Sequence, residues 1–100
     1  MATRPIPART RHSAQILGEQ LRTWRKLQSL TMEQLGARAG VNRDTISRLE
    51  RGDVSVGMGT LLNVARALGI LDKLVAALDP YETDFGRARA DQALPQRVRS

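Results

Sequence analysis

The chain has 100 residues, with 16 Lys and Arg against 10 Asp and Glu, one His and no Cys, for a net charge of +6. That length holds one domain with tails around a small core. Without cysteine there is no disulfide framework and no thiolate metal site, and His12 alone cannot make one. No apolar run approaches the ~20 residues of a membrane span, and the basic start lacks the apolar stretch of a secretory signal.

Residues 1–12 carry Pro5, Pro7, Arg4, Arg9, Arg11 and His12 with one large aliphatic side chain, Ile6, and read as a flexible basic arm. Ser13 is a candidate N-cap for a helix in which Ile16, Leu17, Leu21, Trp24 and Leu27 recur at helical spacing. Up to residue 30, six Arg and Lys stand against Glu19 alone, whereas residues 53–80 are slightly acidic. One end of the domain is therefore attracted to polyanions and the other is not.

The stretch Thr31–Gly52 reads as two short helices with a break at Ala39-Gly40-Val41, where glycine takes a positive φ without cost. Thr31 with Gln34 three residues on forms a capping-box pattern, and Asn42 is a strong N-cap with Thr45 at N3. Ile46 and Leu49 give the second helix one inward stripe. Arg43, Asp44, Ser47, Arg48 and Arg51 then share its outward face. A packed first helix followed by a second with a polar outer face is the build of a helix-turn-helix, whose second helix lies in a DNA major groove.

Beyond Gly52, Gly57 and Gly59 mark a link, and Thr60 caps a helix over Leu61–Leu68 that Gly69 ends. Ile70–Leu78 supplies a fifth short helix, stopped by Asp79-Pro80. Leu71, Leu74, Val75 and Leu78 exceed what so small a core needs, so this helix is expected to face a second subunit or else to cover the first helix. Residues 80–100 read as a solvated, poorly ordered tail in which Gly86 interrupts any helix. The domain proper is thus expected over residues 13–79. No catalytic constellation is visible: there is no thiol nucleophile, no phosphate-cradling loop between strand and helix, and no carboxylate pair in a cleft. No enzyme activity and no cofactor are expected.

Leu35, Gly36, Gly40, Ile46 and Leu49, followed by Arg48-Leu49-Glu50-Arg51-Gly52, resemble the DNA-binding domain of the Cro/C1-type regulators, also called the XRE family. The resemblance runs from about Leu17 to Leu78. It implies an all-α, compact five-helix bundle of the lambda-repressor-like type with flexible tails. It also implies double-stranded DNA, with a palindromic operator, as the partner of a cytoplasmic, nucleoid-associated homodimer, most simply a repressor. The positions of Arg43, Asp44 and Arg48 touch base edges in such proteins, and Ser47 shares their surface. Asp44 would accept from cytosine N4 or else orient Arg43 or Arg48.

Asn42, Thr45 and Arg51 match positions that bind or flank phosphates, and the helix start at Thr31 adds amides to these. Arg22 and Arg38 are further phosphate candidates, with a solvated surface role the alternative for each. Two residues depart from the pattern. Met32 stands where many relatives carry a backbone-holding Gln, and Gly36 replaces the usual Ala at a cost of up to about 1 kcal/mol in helix propensity. Within the family the Arg at the place of Arg25 pairs with the Glu at the place of Glu50; a phosphate contact by Arg25 is the alternative. The closing Ala93–Arg99 resembles tails of regulators found beside HipA-type kinase toxins, which implies a second role as an antitoxin binding such a toxin.

Overall fold

The computed structural model describes residues 5–93, and among these the chain is all-helical. Six α-helices follow one another: α1 Ala8–Leu27, α2 Met32–Ala39, α3 Arg43–Glu50, α4 Met58–Ala67, α5 Leu71–Ala77 and α6 Asp84–Ala93. A single 3₁₀ turn, Pro80–Glu82, stands between α5 and α6.

The core lies where α1, α2, α3 and α4 meet. Leu21, Leu30, Leu35, Ala39, Ile46, Leu49, Val64 and Leu68 form one buried cluster, with Leu35 and Ile46 wholly enclosed. Truncating a side chain such as Leu35 to Ala costs about 2–5 kcal/mol in sites of this kind. The α1–α3 crossing is close because Gly18 has no side chain: a Cβ there would lie 2.6 Å from the carbonyl oxygens of both Leu49 and Glu50. Gln28 Nε2 donates to the Leu68 carbonyl at 2.8 Å and ties the end of α1 to the end of α4.

The α2–α3 unit is built as its residues dictate. Thr31 Oγ1 accepts from the Gln34 amide at 3.0 Å while Gln34 Oε1 accepts from the Thr31 amide at 2.8 Å, a complete capping box. Gly40 ends α2 at φ +75°, and Asn42 Oδ1 caps α3 by accepting from the Thr45 amide at 2.8 Å.

Three boundaries differ from the sequence expectation. Helix α1 begins at Ala8, so part of the expected flexible arm is helical; Pro7 sits at the N-cap and its carbonyl accepts from the Arg11 amide, and Ser13 lies a full turn inside. Proline's preset φ starts a helix without a side-chain cap. Helix α4 begins at Met58, with Gly57 as its cap and Gly59 inside its first turn, because packing of the Leu61–Leu68 face outweighs the weak helix propensity of Gly59. Helix α6 occupies ground expected to be unordered. Thr83 caps it through the Gly86 amide, Arg87 bonds the Tyr81 carbonyl and Asp84, and a Cβ on Gly86 would run into the Pro80 carbonyl. Gly86 is thus a point of close approach and not a break. Leu27, expected inside, is exposed, and Leu30 beyond the Ser29 turn takes its place in the core.

Helix α5 buries no residue. Leu71 and Leu74 are half-covered, while Val75 and Leu78 are 61% and 83% exposed. Residues 1–4 and 94–100, which include Arg4 of the arm and most of the closing motif, lie outside the described residues.

Candidate nucleic-acid interface

Helix α3 divides its residues cleanly. Ile46, Leu49 and Glu50 are buried, Arg43 and Asp44 are exposed, and Thr45, Ser47 and Arg48 are half-exposed between them. Arg51, the C-cap, is exposed as well. Three cations and one anion therefore stand along or beside one solvent-facing surface, joined by the N-terminal amides of α2 and α3, where the helix dipole favours an anion.

Glu50 takes no part in that surface. Its carboxylate accepts from Arg25 Nε at 2.7 Å and from Arg25 Nη2 at 3.0 Å, and Arg25 Nη1 donates to the Leu30 carbonyl at 2.8 Å. The two side chains are only 8% and 4% exposed. Glu50 raises the Arg25 pKa above the ordinary guanidinium value by hydrogen bonding, against the opposing influence of burial. This paired geometry places Arg25 away from the surface that a phosphate could reach. Its consequence for α3 is rigidity: the last residue of the helix is bolted to α1 and, through Leu30, to the start of the helix-turn-helix.

Arg48 does not face solvent alone. Its Nε donates to Asp53 Oδ2 at 2.9 Å, and its Nη2 donates to Ser55 Oγ at 2.9 Å. Asp53 Oδ1 accepts from both the Ser55 amide and the Ser55 hydroxyl, at 2.9 and 2.6 Å. The Ser55 hydroxyl, then Arg48, hold the Asp53 carboxyl below the usual carboxylate range. The loop reaches back to α3 because Gly52 turns at φ +80°, and the Asp53 amide donates to the Arg48 carbonyl at 3.0 Å. Arg51 Nη1 donates to Ser47 Oγ in turn. No hydrogen bond joins Asp44 to Arg43 or Arg48 among the described residues, so the carboxylate that orients Arg48 is Asp53.

Of the candidates for the DNA backbone, Thr31 and Asn42 are exposed N-caps whose side-chain oxygens already accept from Gln34 and Thr45. They keep a hydroxyl proton and an amide NH₂ respectively to offer outward. Thr45 is half-buried, and Arg22 and Arg38 are exposed on α1 and α2. Met32 packs against the core, so it offers a phosphate only its backbone amide at the first turn of α2. Sequence reasoning missed Asp53 and Ser55. Their signal was present, since Asp-x-Ser directly after a turn glycine favours a side-chain-to-backbone turn.

Among the described residues no cluster of His, Asp and Glu is arranged to hold a metal ion, and no helix is long and apolar enough to cross a membrane.

Residues 16–78 match the family described as a helix-turn-helix domain. Over 52 residues, 52% of this chain and 26% of the other, the sequence is 42% identical to the HTH-type transcriptional regulator y4dL of Sinorhizobium fredii. It is 37% identical over 54 residues to control protein C.SmaI of Serratia marcescens, covering 54% of this chain and 64% of that one. It is also 36% identical over 72 residues to the HTH-type transcriptional regulator y4dJ of Sinorhizobium fredii, covering 71% and 91%. The chain thus spans about a quarter and two-thirds of the first two relatives and nearly all of the third. No solved structure matches the chain significantly.

Proposed function

The chain belongs to the Cro/C1-type (XRE) helix-turn-helix transcriptional regulators, and on that premise we propose that it binds double-stranded DNA sequence-specifically, as a dimer that lays α3 in successive major grooves. One observation carries this reading. Helix α3 hides the Glu50 carboxylate in an ion pair with Arg25 and presents Arg43 and Arg48, with Arg51 at its C-cap, outward beside Asp44. A guanidinium matches guanine O6 and N7 bidentately, and a carboxylate such as Asp44 accepts from cytosine N4. Arg43, Asp44, Ser47 and Arg48 are assigned to base edges. Thr31, Asn42, Thr45, Arg51, Arg22, Arg38 and the Met32 amide are assigned to phosphates.

Dimerisation is supported by the uncovered Val75 of α5 and Leu78 at its C-cap and by an apolar groove of ≈ 200 Å³ lined by Leu17, Trp24, Leu61, Ile70 and Leu74. A two-fold protein reads a palindromic operator, and a regulator bound across a promoter blocks it, so repression is the expected outcome in a bacterial cytoplasm. No enzymatic step is assigned. A second role as the antitoxin of a HipA-like kinase is favoured by the sequence of the closing tail alone, and co-purification with such a kinase tests it.

The experiment for the main reading is selection of bound sequences from a random duplex pool. A recovered two-fold motif with half-sites roughly 10 bp apart supports it. Recovery of no motif, or of a single half-site bound by a monomer, contradicts it.

A further inference from the structure

We propose that Asp53 is a positioning residue for base readout: together with Ser55 it holds the Arg48 guanidinium so that only its end-on edge is presented to DNA. This rests on the assignment of Arg48 to a base edge. A guanidinium carries five N–H donors in a rigid planar fork. Two of them, on Nε and Nη2, lie along one side of the group and are taken by Asp53 Oδ2 and Ser55 Oγ. The remaining Nη2 proton and the two on Nη1 make no hydrogen bond among the described residues. Together Nη1 and Nη2 form the end-on fork whose spacing matches guanine O6 and N7.

The clamp is itself braced. Asp53 is fixed by two hydrogen bonds from Ser55, and its own amide is bonded to the Arg48 carbonyl. The Arg48 side chain is 42% exposed and that of Asp53 34% exposed, so the pair lies at the surface and its free edge is open to solvent. A surface ion pair adds little to stability. Its larger effect is to remove the rotamer freedom that a long Arg otherwise loses on binding, and to neutralise a carboxylate that would repel the phosphates.

The test measures binding of the full chain to its selected duplex and to duplexes changed at one base pair at a time. The variants are Arg48→Ala, Asp53→Ala, Ser55→Ala and the double variant Arg48→Ala/Asp53→Ala, each with its melting temperature. The expected result is that Asp53→Ala loses preference at the same base pair as Arg48→Ala, by at least about fivefold. The double variant should then lose no further preference there. Ser55→Ala, which removes one hydroxyl and leaves Asp53, should lose part of that preference, and it keeps the proposal open to refutation if Asp53→Ala folds poorly. Retention of full preference by both loop variants, while Arg48→Ala loses it, would overturn the positioning role and leave Arg48 as a base reader. A uniform loss on all duplexes that adds to that of Arg48→Ala would do the same. If Arg48→Ala keeps its preference at every position, the base assignment of Arg48 is wrong and the role of Asp53 falls with it.

Discussion

Arg25, near the end of α1, and Glu50, the last residue of α3, close a bidentate ion pair of 2.7 and 3.0 Å across 25 residues of sequence. No buried side-chain N or O among the described residues is left without a hydrogen-bond partner, so the pair is enclosed and fully satisfied. Removing one partner leaves the other as an uncompensated buried charge, at a cost of about 3–5 kcal/mol.

Glu50→Ala should therefore lower the melting temperature by more than about 10 °C in a domain this size. Glu50→Gln, which can still accept one bond from Arg25, should lower it less. Thermal unfolding followed by circular dichroism checks both, and an unchanged transition in both would mean the pair contributes nothing.

Gly18→Ala should destabilise the protein by about 1–3 kcal/mol, the usual cost of overpacking. The new Cβ would press on the backbone oxygens of Leu49 and Glu50, and backbone cannot swing aside as a side chain can. Because those residues end α3, DNA affinity should fall with stability. Urea unfolding and a binding titration on the same preparation would show whether the two losses travel together.

The depressed Asp53 pKa fixes the sign of one pH effect. A carboxyl whose folded pKa lies below its unfolded value, about 3.9, contributes stability above the unfolded value and loses it as pH falls through the folded one. The Arg48–Asp53 contact should accordingly be intact throughout pH 5–8 and weaken only under strong acid. In an NMR titration Asp53 should titrate below an ordinary aspartate, and Ser55→Ala should move it back upward. An Asp53 midpoint at or above 3.9 would contradict the hydrogen-bonded arrangement.

A chain ending at Asp79 should keep nearly the full thermal stability, because the buried apolar residues run from Leu21 to Leu68 and α6 packs on the Pro80–Glu82 turn. A large loss of melting temperature or of operator affinity would show that the C-terminal segment dimerises or touches DNA.

The helix-turn-helix was legible in the sequence because its signals are local. The Thr31–Gln34 box, Gly40 and Asn42 each act within four residues, and Ile46 and Leu49 declare the inward face. What escaped was set by contacts between segments or by weak local signals. Ser13 is a good cap by residue type, yet nothing between Pro7 and Ser13 opposes helix, and α1 starts earlier, at the proline. Gly86 looked like a breaker, but the nearness of the Pro80 carbonyl is what demands a glycine there. Arg48 and Asp53 are five residues apart, too far for a helical pair to be read, and only the turn at Gly52 brings them together.

The most direct test of base readout by α3 is a salt-dependent titration of Arg43→Ala and Arg51→Ala against the selected site and a scrambled one. Both side chains are exposed, and neither belongs to the core, so folding should be preserved. Arg43→Ala should cost about 1–3 kcal/mol on the selected site only and relax preference at one base pair. Arg51→Ala should weaken both DNAs and reduce the salt slope by about one. If Arg43→Ala instead weakens the selected and scrambled sites equally, Arg43 supplies only charge, and its assignment to a base edge is contradicted.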